Sequence, residues 1–489
     1  MQLRMSGIFG VVSRDNCIST LFYGTDYHSH LGTQFGGIAY INPDGKPSKK
    51  IHSIANSQFK SKFSEGLDGI RSTVGIGVIS DKDPQPLVFE SRFGPFAICC
   101  SGLVTNRQDL AKFLIRRGVT FSELEHGDIN TTELVANLIN QEKSIVEGIK
   151  FMFGNIQGSI SLLLMTPEGI YAARDKNGVT PLVVGSREEE IAVASESCSF
   201  PNLNMEIKRF LEPGEVFFIS RKGIEIHNQG NHESKVCAFL WIYTGFPASS
   251  YEGINVEQVR ENCGKLLAKS DDVGVDLVSG VPDSGTAHAI GYAIQSGKPY
   301  RRALIKYTSG YGRSYTPLTQ DLRDRIALMK LIANEDVIKD NRILLCEDSI
   351  VRGTQLKNYT ITKLKKAGAK EIHIRPACPP LLFPCIYALS TRTNHELVAR
   401  RAIRAIEGKE IEDISEYLNP ESEKYKKMVD WIAKDLGVNS LKYLKLDDMI
   451  SAIGVAKEKI CTYCWTGKSI QMQLNRYQQE VYNECLTHR

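Results

Sequence analysis

The stretch Arg342-Ile-Leu-Leu-Cys-Glu-Asp-Ser-Ile-Val-Arg-Gly-Thr-Gln355 decides how the second half of the chain is read. Ile343 to Cys346 form a continuous apolar run. Glu347 and Asp348 follow at once, then Ser349, Gly353 and Thr354, and a helical pattern from Leu356 to Ala369. The run predicts a buried parallel strand, an acidic pair at its carboxyl end, a tight loop and a helix N-terminus. In an open α/β sheet, ligands bind at that end. Loop amides and the first helical N–H groups, which lack intrahelical partners, suit a phosphate monoester. The carboxylates suit sugar hydroxyls or a hydrated Mg²⁺. The bland alternative is an ordinary strand-turn-helix whose acidic pair is merely solvated.

Around this stretch, strand and helix patterns alternate: Val275–Ser279, Ala287–Ile294, Ala303–Lys306, Ile343–Cys346, Leu356–Ala367 and Glu371–Arg375. This order predicts a parallel sheet covered by helices on both faces. Ser279-Gly280-Val281-Pro282-Asp283-Ser284-Gly285 is a second strand-end loop before a helix. Residues 6 to about 230 instead show short β-type runs at Gly7–Val12, Gly36–Ile41, Val74–Ile79, Pro95–Cys100, Ser159–Met165, Ile170–Ala173, Glu190–Ala194 and Glu215–Ser220. Helical patterns fall at Asn106–Arg117 and Thr131–Asn140. That mixture predicts an α+β layered domain. The polar stretch Asn228 to Lys235 divides the chain into 1–230 and 231–489.

At 489 residues, with 42% hydrophobic and 24% charged residues, the composition is that of a soluble globular protein of two to three domains. A formal charge of +4, spread along the chain, gives no case for nucleic acid. No secretory signal or membrane-length apolar run is visible, so a cytoplasmic location is expected. The twelve cysteines are then read as thiols or metal ligands in a reducing compartment. Cys461-Thr462-Tyr463-Cys464 alone is equally compatible with a zinc or a redox pair. Residues 401 to about 428, rich in Arg and Glu, read as a solvated surface insertion.

The order strand, Glu-Asp, small residues and Arg-Gly-Thr resembles the 5-phosphoribosyl-1-pyrophosphate (PRPP) loop of type I phosphoribosyltransferases. Asp348 to Thr354 resembles one branch, the glutamine PRPP amidotransferases of purine synthesis. The resemblance implies a PRPP site built from Gly280, Asp283, Ser284, Gly285, Glu347, Asp348, Ser349, Ile350, Val351, Arg352, Gly353, Thr354 and Gln355, with Mg²⁺ near Ser284, Glu347 and Asp348. It also implies a flap between Lys306 and Lys330 that excludes water, with Lys306 and Arg313 as catalytic candidates. The family's Asn-Arg after the first lysine is Tyr307-Thr308 here, and a later arginine aligns with Leu328. Cys237, Cys385, Cys461 and Cys464 match the iron-sulfur branch, in which four thiolates hold a [4Fe–4S] cluster; zinc is the alternative.

The first half resembles the N-terminal-nucleophile (Ntn) glutaminase domain of the same family, through Ser6-Gly-Ile-Phe-Gly10, Gln85-Pro86-Leu87, Ala173-Arg174-Asp175, Ala194-Ser195-Glu196-Ser197-Cys198 and Glu212-Pro213-Gly214-Glu215. The site residues differ. The family's nucleophilic cysteine aligns with Ser6, which would be N-terminal if translation began at Met5 and that Met were removed. The arginine that binds the substrate carboxylate aligns with Ser80, the oxyanion-hole asparagine with Ser101, the amine-binding aspartate with Thr131, and a further arginine with Leu31.

The expected fold is therefore an Ntn hydrolase-like domain followed by a type I phosphoribosyltransferase domain. The expected activity is displacement of pyrophosphate from PRPP by ammonia to give 5-phosphoribosylamine, with a silent glutaminase half. Alternatives are another small amine as nucleophile, suggested by Phe246 where the family has arginine, or a PRPP- or nucleotide-sensing pseudoenzyme. A different substrate reacting at Ser6 or Cys100 is a further possibility. Purine nucleotides as feedback ligands and a homo-oligomer are also expected.

Overall fold

The computed structural model describes residues 6–125, 127–231, 234–307, 331–387 and 393–468. The flap candidates Gly312, Arg313, Arg323 and Lys330 lie outside the described residues.

The first half contains two antiparallel sheets. One has seven strands in the order Glu206–Phe210, Val183–Arg187, Glu190–Ala194, Gly7–Ser13, Val74–Ser80, Phe35–Ile41 and Pro47–Ser53. The other has six, Gly223–Asn228, Val216–Ser220, Gly169–Ala173, Gly158–Thr166, Gly94–Val104 and Leu87–Ser91. Ile8, Val12 and Val78 of the first sheet meet Cys99, Leu163 and Phe217 of the second in one buried core. On the outer face of the six-stranded sheet, Phe96 and Ile160 pack against helices Arg107–Arg116, Thr131–Ile139 and Ile145–Asn155. Helix Ile18–Asp26 covers the other outer face through Leu21. The resulting four layers bury the inner strands on both faces, so Gly7–Ser13 and Val74–Ser80 are buried at every position. That is why they read as unbroken apolar runs.

The second half is built on four parallel strands in the order Leu277–Gly280, Arg342–Glu347, Glu371–Pro376 and Ser440–Leu441. Helices Val256–Lys269 and Thr286–Ser296 contribute Val259, Cys263 and Tyr292 to the core that contains Leu344 and Cys346. A second core holds Ile343, Leu345 and Ile374 with Leu364, Ile403 and Ile432.

The second core corrects one expectation. Residues 401–428 are not a solvated insertion: Ala402, Ile403, Tyr417 and Met428 are buried in it. Helices Val398–Glu407 and Glu423–Leu436 turn Val398, Ile403, Met428 and Ile432 inward and their Arg, Lys and Glu residues largely outward. Each buried aliphatic side chain contributes about 1.5–3 kcal/mol. Counting charge alone hid this amphipathic spacing.

One pairing closes the second half on itself, and Glu196 is among the residues that join the two halves, as is Arg174, ion-paired with Glu252 at 2.7 Å. Val236–Cys237 pairs in parallel with Ile460–Cys461, bringing the entry and the described end of the second half side by side. Glu196, fully buried in the first half, accepts hydrogen bonds from Tyr251 Oη and Ser249 Oγ of the second.

Candidate active site and the cavity beneath Ser6

Register places both strand-end loops together. Gly280 pairs with Cys346, so the chain leaves the two adjacent parallel strands at the same edge. Val281 N–H donates to Cys346 O at 3.0 Å and ties the first loop to the second strand. A Cβ on Gly280 would come within 2.5 Å of Gly285 O, so the first loop closes only around glycine. Asp283 in this loop is ion-paired with Lys306, the last residue of strand Leu304–Lys306. That strand pairs antiparallel with Leu331–Ala333, Lys306 opposite Leu331.

In the second loop, Asp348 is buried and accepts from Ser349 Oγ at 2.6 Å; the Asp348 N–H contacts Glu347 Oε1 at 3.2 Å. Burial pushes the Glu347 carboxyl well above the usual carboxylate range, and the neighbouring Asp348 charge pushes it further. Ile350 anchors the loop in the second core beside Val398, and Val398 N–H donates to Val351 O at 2.8 Å. Gly353 has φ +72°, which permits the turn into the helix. Lys357 N–H donates back to Gly353 O at 2.9 Å. The helix begins with wide turns over Leu356–Ile361 and continues as Thr362–Lys366. Arg352 is paired with Glu396 at 3.1 Å. The acidic pair and a phosphate-sized loop thus share one strand end, an oxygen-donor set that suits Mg²⁺ or ribose hydroxyls.

The first half has a cavity of about 430 Å³ lined by Ser6, Ser80, Gly102 and Thr131. Ser6, Ser80 and Thr131, widely separated in sequence, therefore meet at one cavity, whereas Ser101 and Leu31 are not part of its lining. Ser6 Oγ lies 3.4 Å from Ser80 Oγ and accepts from Gln85 Nε2 at 3.2 Å. Ser101 Oγ donates to the Ser6 carbonyl rather than into the cavity. Leu31 is buried close to Gly7. Cys100 Sγ contacts Thr132 Oγ1 at 3.2 Å, and burial pushes its thiol up to about 12, far from a reactive thiolate.

Sequence reasoning missed other residues of this cavity. Lys82, Asp83, Arg107 and Asp128 also line it, as do Pro384 and Cys385 from the second half. Lys82 and Arg107 pair with the same carboxylate, Asp128, at 3.1 and 3.0 Å. The available signal was Asp81-Lys82-Asp83 directly after strand Val74–Ser80, which ends beside Ser6.

The four singled-out cysteines are neighbours. Cys237 and Cys461 face each other in register, and Cys464 O accepts from Leu382 and Phe383 N–H just before Cys385. Burial raises the Cys237 thiol, and Cys461 and Cys385 raise it further. A hydrogen bond with Cys385 and then burial raise Cys464. Trp465 stacks on Phe239 at 5.1 Å, closing the site. Among the described residues, no group of three or more His, Cys, Asp or Glu is arranged to hold a single metal ion.

The amidophosphoribosyltransferase of Methanocaldococcus jannaschii is 32% identical, over 95% of this chain and 97% of that protein. The chain belongs to the amidophosphoribosyltransferase family. The amidophosphoribosyltransferase of Bacillus subtilis is 30% identical over 98% of this chain and 95% of the relative. The solved glutamine PRPP amidotransferase from B. subtilis, complexed with ADP and GMP, superposes with a TM-score of 0.81 at 29% identity, covering 96% of this chain and 98% of that one. A glutamine amidotransferase domain profile matches residues 71–202, which include Ser80, Ser101 and Thr131 but not Ser6. Membership in the amidophosphoribosyltransferase family accounts for both the layered first half and the parallel-sheet second half. Among the described residues, no helix is long and apolar enough to cross a membrane.

Proposed function

We propose that the chain transfers the phosphoribosyl group of PRPP to ammonia, forming 5-phosphoribosylamine, and does not hydrolyse glutamine. The observation that carries the transferase reading is the half-buried Glu347 next to buried Asp348 beside the Gly353 loop, with the Asp283 loop at the adjacent strand end. Amides of Ser349–Gln355 would hold the 5-phosphate, and Glu347 and Asp348 the ribose hydroxyls. Ser284, Glu347 and Asp348 would hold Mg²⁺, which when bound neutralises the leaving pyrophosphate. Lys306, here paired with Asp283, would turn to the pyrophosphate; Arg313, the other catalytic candidate, lies outside the described residues.

The surroundings of Ser6 support the reading without glutaminase activity. A serine nucleophile of this kind needs a base, which can be its own free α-amine, and an oxyanion donor. Among the described residues no His, Asp or Glu hydrogen-bonds its hydroxyl, and the Ser101 hydroxyl is spent on the Ser6 carbonyl. The four neighbouring cysteines fit a [4Fe–4S] cluster, in which each thiolate reaches a different iron, better than one zinc ion. Such a cluster would tie the C-terminal segment to strand Val236–Cys237 and the Cys385 loop. By analogy with the B. subtilis relative solved with ADP and GMP, purine nucleotides would regulate the chain, and a cytoplasmic homo-oligomer is the form expected.

Purified protein incubated with PRPP, Mg²⁺ and ammonium chloride should release pyrophosphate, and with glutamine should release no glutamate above a no-enzyme control. Tight PRPP binding without pyrophosphate release would favour a sensor. Release with another amine only would favour a different nucleophile, a reading that Phe246 supports: it is exposed and lies 5.3 Å from His30 in a second cavity.

A further inference from the structure

We propose that Arg401 is a positioning residue of the phosphate loop Ser349–Gln355. From behind the loop its guanidinium holds the Arg352 carbonyl, and so aims and polarises the N–H of the same peptide group, that of Gly353, toward a phosphate in front. The proposal rests on the transferase reading of this loop and gives a role to the charged segment that begins at residue 401.

The loop is held by its carbonyls, not by its amides. Among the described residues, no main-chain N–H from Ser349 to Gly353 donates a hydrogen bond. Three consecutive carbonyls, by contrast, are occupied. Val351 O accepts the Val398 N–H at 2.8 Å, Arg352 O accepts from Arg401 Nη2 at 2.7 Å, and Gly353 O accepts the Lys357 N–H at 2.9 Å. In a trans peptide the C=O and N–H point in opposite directions, so a bond made behind the loop turns the next N–H to the front. A carbonyl that accepts a hydrogen bond also makes the N–H of its own peptide a better donor, and a cationic partner polarises it most.

Two of the three bonds come from helix Val398–Glu407. Val398 uses one of the first helical N–H groups, which have no partner within the helix. Arg401 follows one turn later on the same face. Arg400 is paired with Glu410 at 2.6 Å and Arg352 with Glu396 at 3.1 Å, but Arg401 has no carboxylate partner among the described residues. Its positive charge therefore stands uncompensated behind the loop and favours an anion in front of it. Packing sets the distance: a Cβ on Gly353 would lie 3.6 Å from Val398 Cγ2 and 3.5 Å from Leu436 Cδ2, and Lys357 pairs with Asp435 at 2.7 Å. These contacts remain when the Arg401 side chain is removed, so its loss alters the cradle and leaves the fold.

Isothermal titration of the full-length chain with ribose 5-phosphate reads the cradle alone; pyrophosphate release from PRPP with Mg²⁺ and ammonium chloride reads the transferase. Arg401→Ala should weaken ribose 5-phosphate binding about tenfold. It should raise the KM for PRPP by a similar factor, with kcat within about twofold of the parent and an unchanged urea midpoint. Arg401→Lys keeps a cationic donor and should recover most of the loss. Arg404→Ala removes a cation from the next turn of the same helix, where it donates to His395 Nδ1, and should leave both constants at the parent's values. The proposal is overturned if the parent does not bind ribose 5-phosphate, if Arg401→Ala binds it like the parent, if Arg404→Ala weakens it equally, if Arg401→Lys recovers nothing, or if the loss falls on kcat or the urea midpoint instead. Binding of ribose 5-phosphate that depends on Arg401, without pyrophosphate release, would sustain the proposal and overturn the transferase reading.

Discussion

At the carboxyl end of strand Arg342–Glu347 two carboxylates stand side by side with little to balance them, whereas beneath Ser6 each cation already faces a carboxylate. In the first arrangement burial and then the Asp348 charge raise the Glu347 carboxyl, and a bound cation or ribose hydroxyls would favour its ionised form. In the second, Lys82 and Arg107 both pair with Asp128. One half therefore keeps the electrostatics of a site that awaits its substrate. The other keeps a layered fold and a hollow lined by Ser6, Ser80 and Thr131.

The comparison breaks most directly at Asp348. Asp348→Asn should lower PRPP-dependent pyrophosphate release by about 10²–10³-fold, the scale seen when a preorganised electrostatic group is removed; steady-state assays in Mg²⁺ would measure it. A smaller effect should come from Glu196→Gln at the junction of the halves. Tyr251 and Ser249 donate to this buried carboxylate, and His30 lies 2.8 Å away. Its loss should cost about 2–3 kcal/mol in urea unfolding.

That variant should also change the pH dependence. Burial alone would raise the Glu196 carboxyl, but His30 and Tyr251 overcome it and hold it down at about 2. A folded-state value below the unfolded 4.5 means that its contribution, on the order of 3 kcal/mol, is present above pH 4.5 and lost as pH falls toward 2. Glu196→Gln should flatten that limb. Burial of His28, which accepts the Glu196 N–H at 3.3 Å, lowers its imidazole to about 4. The parent protein should therefore begin to lose stability already as pH falls below about 6.5.

Gly280→Ala pushes a Cβ against Gly285 O and should raise the KM for PRPP about tenfold, roughly 1.4 kcal/mol of lost binding. Least of all should change with Ser6→Cys. Restoring the thiol alone leaves the oxyanion and base groups missing, so glutamate release should stay at the parent's background. Turnover in that variant would mean that the first half retains more of the family's chemistry than its side chains indicate.

The transferase half was legible because its information is contiguous: an apolar run, an acidic pair and a glycine turn follow one another from Ile343 to Gly353. The central strands of the first half were legible for the same reason. Edge strands Pro47–Ser53, Glu206–Phe210 and Gly223–Asn228 were not, since Lys, Arg and Glu on their exposed faces erase the apolar run. Asp83 and Arg107 escaped because a cavity wall gathers residues from unrelated loops, and no local spacing records that Asp83 meets Thr131. The packing of 401–428 was missed because Ile403, Met428 and Ile432 face one way from helices crowded with charge.

The parallel pairing of Val236–Cys237 with Ile460–Cys461 also sets an order of assembly. During synthesis, all strands of both first-half sheets have emerged by the strand that ends at Asn228, so that half can close early, with the partners of Glu196 at Ser249 and Tyr251 following. The other half must wait with Cys237 exposed until Cys461 and Cys464 leave the ribosome. Ribosome-bound chains arrested shortly before residue 460 should therefore be protease-resistant in their first part and labile beyond it.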